Sequence, residues 1–195
     1  MNTQRAVRAV VIGASAGGVD ALFQLFDGLP ADFALPMVVV LHLPESHESQ
    51  LVELFARRLE IPVREAHDKA PIEAGTLYFA AAGYHLSIER DFTFALSREA
   101  PRNFSRPSID ILFDSAADAY RGALAGILLT GANQDGAEGL AHIHREGGLS
   151  IVQDPAEAAV STMPEAAIAL HAPDYILPLR EIHALLLRMG PRHAA

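Results

Sequence analysis

Ala9-Val10-Val11-Ile12-Gly13-Ala14-Ser15-Ala16-Gly17-Gly18-Val19 decides the fold. An apolar run about one strand long, without polar alternation, suits a strand buried on both faces. It enters a glycine-rich turn with one serine near its centre. Val19, Leu22, Phe23 and Phe26 then recur at helical spacing. In an open α/β sheet such a strand–turn–helix junction holds either a nucleophile or a phosphate cradle.

The pattern repeats along the chain. Gly28-Leu29-Pro30 stops the first helix, and Met37 to Leu41 reads as a second buried strand. His42-Leu43-Pro44 ends it, and Ser46 is placed to cap a helix carrying Leu51, Leu54, Phe55 and Leu59. Thr76 to Ala80 reads as a strand, and His85 to Ile88 with Phe92 to Leu96 as a hairpin around Glu89-Arg90-Asp91. Residues 101–107 are polar and irregular, and Ile109 to Ala119 is helical. Ala123 to Leu129 is a third buried strand, followed by a helix near Ala137 to Glu146, a strand over Leu149 to Val152 and a last helix over Arg180 to Met189. Alternating strands and helices predict a three-layer, doubly wound α/β fold. Its sheet is mostly parallel, one antiparallel hairpin is added, and the whole is a single domain over 1–190 with a frayed tail over 191–195.

Half of the 195 residues are hydrophobic and 20% are charged, a globular composition. The net charge of −9 argues against a nucleic-acid platform. Without cysteine there is no disulfide, thiolate metal site or cysteine nucleophile. No signal-peptide pattern opens the chain and no apolar stretch reaches membrane-span length, so a cytoplasmic protein is expected. The nine histidines include His142 with His144, and His42 with His47. Residues i and i+2 of a helix do not share a face, so no metal site is expected from this spacing.

Three polar residues fall where strands end: Ser15, His42 and, in the turn after Leu129, Asp135. Together they are the set that activates a hydroxyl, with histidine as base and aspartate as the group that orients it. Singly, each has a structural alternative: a helix cap or anion contact for Ser15, a strand-end histidine for His42, a turn closure with Gly136 for Asp135. Gly13-x-Ser15-x-Gly17 fits a nucleophile elbow, yet the order Ser–His–Asp differs from that of α/β-hydrolases. Arg106 fits either a substrate carboxylate or a structural salt bridge. Asp110, Asp114 and Asp154 read as surface or capping groups.

Five spaced segments carry a resemblance. They are Val11-Ile12-Gly13-Ala14-Ser15-Ala16-Gly17-Gly18; Val40-Leu41-His42-Leu43-Pro44; Arg106-Pro107-Ser108-Ile109-Asp110; Leu129-Thr130-Gly131 with Asp135-Gly136-Ala137; and Asp154-Pro155 with Met163-Pro164-Glu165-Ala166. In this order the chain resembles the catalytic domain of the CheB family, the protein-glutamate methylesterases of bacterial chemotaxis. The resemblance implies a serine esterase that releases methanol from glutamate methyl esters of a methyl-accepting chemoreceptor and deamidates certain glutamines. It implies Ser15 as nucleophile, His42 as base, Asp135 as the orienting acid, the backbone N–H groups of Ala16 and Ala132 as the oxyanion site, and no metal or organic cofactor. Contact with the membrane would come only through the receptor, and a receiver domain or methyltransferase would act in trans.

Two departures stand out. Ala16 replaces a frequent threonine, and Gly131-Ala132-Asn133-Gln134-Asp135 replaces a Gly-Met-Gly-x-Asp turn, which asks whether Asn133 takes a positive φ. The first catalytic strand starts close to Met1, so a stand-alone or excised catalytic domain is expected. Two other functions are carried from the sequence: a catalytically weakened regulatory scaffold, and a phosphate-binding module, although neither G-x-G-x-x-G nor a Walker lysine is present.

Overall fold

The computed structural model describes residues 6–42 and 50–190. The cap expected at Ser46, the stop at Leu43-Pro44, His47 and the tail 191–195 lie outside the described residues. The strands are β1 (Ala9–Ala14), β2 (Met37–Leu41), β3 (Val63–Glu65), β4 (Leu77–Phe79), β5 (His85–Ile88), β6 (Phe94–Ser97), β7 (Leu124–Leu128), β8 (Leu149–Gln153) and β9 (Tyr175–Leu177). The helices are α1 (Gly18–Phe26), α2 (Leu51–Ala56), α3 (Ile109–Tyr120), α4 (Ala137–Arg145), α5 (Thr162–Leu170) and α6 (Leu179–Met189).

Seven strands form one sheet in the order β3-β4-β2-β1-β7-β8-β9, every neighbouring pair parallel. The β5–β6 hairpin is a separate antiparallel pair. The architecture is the expected three-layer α/β fold, and its period-2 alternation sorts the core into two layers. Val10, Ile12, Val39 and Leu41 face α1, α2 and α6, through Leu22, Leu25, Phe26, Phe55, Ile182 and Leu186. Val11, Val38, Val40 and Leu128 face α3, α4, α5 and the hairpin, through Leu112, Phe113, Leu140, Met163 and Phe94.

From β1 the chain steps outward to β2 and β4, then returns to the other side of β1 to form β7. The order in which strands are added therefore reverses between β1 and β7, and the crevice beyond their carboxyl ends is where such folds place a site. Strand β1 runs two residues beyond the expected Ile12, because Gly13 and Ala14 pair with Val40 and Leu41. This brings Ser15 to the rim of the sheet. Gly13 must be glycine: a Cβ there would stand 2.3 Å from Cγ2 of Ile109, the first residue of α3. The N-terminus of α3 is thereby pressed against the end of β1. Gly17 precedes α1 with φ 79°, the left-handed conformation that glycine adopts without strain.

Three elements escaped the sequence reading. The edge strands β3 and β9 have three residues each, too few to show a period. Helix α5 contains Pro164, which reads as a breaker, yet it is the third residue of the helix, where the N–H has no intrahelical acceptor to lose. Helix α2 stops at Ala56, short of Leu59, which packs against the core from the following turn.

Candidate active site

The register places the three expected residues. Ala14 pairs with Leu41, so the next step along both strands sets Ser15 beside His42, and the His42 N–H donates to the Ala14 carbonyl at 3.1 Å. On its other side Ser15 N–H donates to the Thr130 carbonyl at 2.9 Å. Carried one residue past the strand ends, the alternation aims Ser15 and His42 toward the α3 layer, with Val11 and Val40.

His42 Nε2 lies 2.9 Å from Oδ2 of Asp135, with the histidine side chain 12% exposed and the carboxylate fully buried. The same carboxylate accepts from Ile109 N at 2.7 Å, Asp110 N at 3.1 Å, Ser108 Oγ at 2.7 Å and Asn103 Nδ2 at 3.1 Å. Two of these donors are the first N–H groups of α3, which have no intrahelical acceptors and carry the positive end of the helix dipole. Burial alone would raise the Asp135 pKa. The bonds from His42, Ile109, Ser108 and Asn103 outweigh it and hold the group below the ordinary carboxylate value. The ionised carboxylate is thus held with Oδ2 toward His42 and Oδ1 toward Ser108, Asp110 and Asn103.

That pairing assigns the ring. With Nε2–H donating to Asp135, Nδ1 is the nitrogen left to accept a proton; turning the ring over would face a carbon to the carboxylate. Ser105 Oγ stands 3.5 Å from Nδ1, a long contact. Ser15 Oγ makes no hydrogen bond with a described residue, and the serine is half-buried. Nucleophile–base bonds are often open in ligand-free sites and close around substrate.

The turns supply unengaged donors. Ala16 and Ala132 are exposed, and neither N–H donates to another described residue. Thr130 ties the two turns together, donating from Oγ1 to the Ala16 carbonyl at 2.8 Å and accepting from Val160 N at 2.9 Å. Asn133 does not take a positive φ. Its Oδ1 instead accepts from Asp135 N at 3.1 Å, an Asx turn that presents the aspartate.

Arg106 donates from Nη1 to the carbonyls of Glu99 at 3.1 Å and Arg98 at 3.4 Å, and no carboxylate among the described residues pairs with it. Asp114 and Asp154 fit their expected roles: Asp114 pairs with Arg102 and His142, and Asp154 accepts from Ala156 N. Asp110 does not. It is fully buried, accepts from Gly139 N at 2.8 Å and from the same Asn103 Nδ2 that serves Asp135, also at 2.8 Å. Burial, reinforced by the Asp135 and Asp114 charges and opposed by Gly139 N–H and Arg102, pushes its pKa up to about 6. The helix start at Ser108-Ile109-Asp110 was visible in sequence; that it points inward at a second carboxylate was not. Asn103 and His85 carried no signal. His85 is buried, with Nδ1 accepting from Ser108 N at 3.1 Å and Nε2 donating to the Ala100 carbonyl at 3.1 Å, which anchors the loop before α3.

A second serine–histidine–aspartate cluster lies at the other end of the sheet. His144 Nδ1 is 3.1 Å from Ser150 Oγ and 3.2 Å from Asp174 Oδ2, and Ser150 Oγ donates to Asp174 Oδ2 at 2.9 Å.

The family described as CheB methylesterase matches residues 10–186. A Leptospira interrogans protein, provisionally named a protein-glutamate methylesterase/protein-glutamine glutaminase, is 42% identical over 181 residues, covering 93% of this chain and 94% of that protein. A Hahella chejuensis protein named protein-glutamate methylesterase/protein-glutamine glutaminase 1 is also 42% identical over 185 residues, but this chain spans only 51% of it. The crystal structure of the Thermotoga maritima CheB methylesterase catalytic domain superposes with a TM-score of 0.89 at 31% identity, covering 94% of this chain and 98% of that one.

Proposed function

The chain belongs to the CheB methylesterase family, and from that membership we propose that it hydrolyses methyl esters of glutamate side chains on a methylated chemoreceptor. By the same chemistry it deamidates glutamine side chains. Residues 1–190 form the catalytic unit, and the reaction is cytoplasmic. No helix among the described residues is long and apolar enough to cross a membrane, so on this reading the receptor brings the enzyme to the membrane surface. A receiver domain or a methyltransferase acting in trans is part of the same proposal.

The observation that carries the reading is the 2.9 Å pair between His42 Nε2 and a fully buried Asp135 whose charge is held by the start of α3. His42 Nδ1 removes the proton of Ser15 Oγ as the oxygen attacks the ester carbonyl. Asp135 stabilises the imidazolium through Nε2–H. The carbonyl oxygen becomes an oxyanion that accepts from Ala16 and Ala132 N–H, donors worth about 10²–10³ in rate each in comparable sites. Collapse breaks the bond to methoxide, which takes the proton from Nδ1 and departs as methanol. Water, deprotonated by Nδ1, then attacks the glutamyl ester of Ser15. The carboxylate leaves and Ser15 regains its proton. With glutamine the leaving group is ammonia. Arg106, without a carboxylate partner among the described residues, is available to a carboxylate of the substrate.

Release of labelled methanol from receptor-bearing membranes, methylated on glutamate with a tritiated methyl group, tests the reading. Wild type is expected to release it and Ser15→Ala not. No release by wild type would overturn it.

A further inference from the structure

Asn103 and Phe104 are the central pair of a tight turn. Arg102 N donates to the Ser105 carbonyl at 3.2 Å, Ser105 N returns to the Arg102 carbonyl at 2.9 Å, and the two residues between have φ 51° and 62°. Two left-handed residues between bridged neighbours make a type I′ turn, for which Asn-Gly is the favoured pair. Asparagine fits its place. Phenylalanine does not: a bulky side chain at positive φ is a conformational outlier. Nor does the ring gain from burial, since Phe104 is 103% exposed, while the other eight phenylalanines are buried or half-buried. Backbone strain and an exposed ring both oppose stability, so the fold gives no reason for this residue.

Its position gives one. Asn103 on one side bonds Asp135, and Ser105 on the other stands 3.5 Å from His42 Nδ1. The ring therefore projects from the rim of the site, one residue, about 3.8 Å of backbone, from a group touching the base. The segment 98–106 holds three arginines against one glutamate, in a chain of net charge −9. Arg102 is paired with Asp114 and Glu138. Arg98, which stacks on Tyr84 and donates to its hydroxyl, and Arg106 have no carboxylate partner among the described residues. A protein whose surface carries glutamates and their esters is acidic, and an acidic enzyme repels it except at such a segment.

We infer that Phe104 is a docking residue for the protein substrate, its ring seating on an apolar side chain beside the esterified glutamate while Arg98 and Arg106 face the acidic surface around it. The inference rests on the methylesterase reading. Exposed aromatic rings that become buried on binding are the residues that most often dominate such contacts.

The test uses Phe104→Gly, which leaves the favoured Asn-Gly pair and so keeps the turn, and Phe104→Trp, which keeps an aromatic ring. Three quantities are read: methanol release from methyl-labelled receptor membranes, hydrolysis of a small N-acylglutamate γ-methyl ester, and Tm. Phe104→Gly is expected to lose about tenfold in kcat/KM on the receptor, to stay within about twofold on the small ester, and to match or exceed the wild-type Tm. Phe104→Trp is expected to restore receptor turnover. Wild-type receptor turnover in Phe104→Gly, equal loss on both substrates, or a lowered Tm would overturn the docking role alone. A wild type that releases no methanol would overturn the methylesterase reading with it.

Discussion

Among the described residues stand two serine–histidine–aspartate clusters, and they differ in everything but composition. Ser15, His42 and Asp135 stand beyond the carboxyl ends of β1, β2 and β7. Ser150, His144 and Asp174 stand at the amino ends of β8 and β9. In the first cluster the aspartate is saturated by backbone and side-chain donors, the histidine spans from it toward the strand end, and Ser15 Oγ bonds no described residue. In the second, the serine is the saturated member: Ser150 Oγ donates to Asp174 Oδ2 at 2.9 Å and accepts from Asp174 N at 3.0 Å, and Ser150 N adds a bond to the same carboxylate at 2.9 Å. That arrangement clamps the start of β8 to the loop before β9. A serine committed to an aspartate cannot pass its proton to a histidine, and the Gly147-Gly148 turn beside it spends its N–H groups on the His144 and Ile143 carbonyls. The order of connection makes the site, and residue type alone does not.

The widest separation between the clusters is expected from their serines. Ser15→Ala should lower methanol release by about 10³-fold or more and leave Tm unchanged, since the hydroxyl bonds no described residue. Ser150→Ala should do the opposite, keeping turnover while removing hydrogen bonds worth about 1–3 kcal/mol. Thermal unfolding beside the kinetic assay reads both; a catalytic loss in Ser150→Ala would break the distinction.

The aspartates sharpen it. Asp135→Asn should lower turnover by about 10²–10⁴-fold through loss of the orienting charge. It should also destabilise, because an amide would turn its own donors toward those of α3. Asp174→Asn should change stability only. A smaller effect is expected at Gly13, where an added Cβ would meet Ile109 and push α3 from β1. Gly13→Ala should cost about 1–3 kcal/mol, with a partial loss of turnover because Ile109 N helps hold Asp135.

The finest test lies within the first cluster, in the pH dependence of stability. Asp135, held below the ordinary value of 3.8, contributes stability that is present above that value and lost as pH falls through its folded one. Asp110, raised to about 6, does the reverse: its contribution is present below 3.8 and lost as pH rises through about 6. Asp110→Asn should therefore abolish a decline in Tm between those two values, and Asp135→Asn should abolish an acid-side loss. Unchanged profiles would show that the two carboxylates do not share the cradle as described.

Strands with continuous apolar runs were legible, because burial on both faces leaves an unmistakable composition, and Met37 to Leu41 matches to the residue. Ser15, His42 and Asp135 were legible as strand-end residues once a parallel sheet was expected. What supports them was not. Asp110 looked like an ordinary helix-capping acid, since sequence shows that it begins a helix but not which body that helix start is pressed against. Asn103 and His85 act across distances of 32 and 23 residues, and no local period encodes such a bond. Ser150 and Asp174 gave no signal either, for the same reason.

Among the described residues two serines lie near His42, Ser15 on the neighbouring strand end and Ser105 at 3.5 Å from Nδ1; on the proposed mechanism the first is the nucleophile. Treating the protein with a fluorophosphonate, which transfers its phosphorus to an activated serine oxygen with loss of fluoride, and mapping the adduct by peptide mass spectrometry tests this directly. The expected adduct is on Ser15 alone and is absent from His42→Ala. An adduct on Ser105 or Ser150, or one on Ser15 that survives the loss of His42, would contradict it.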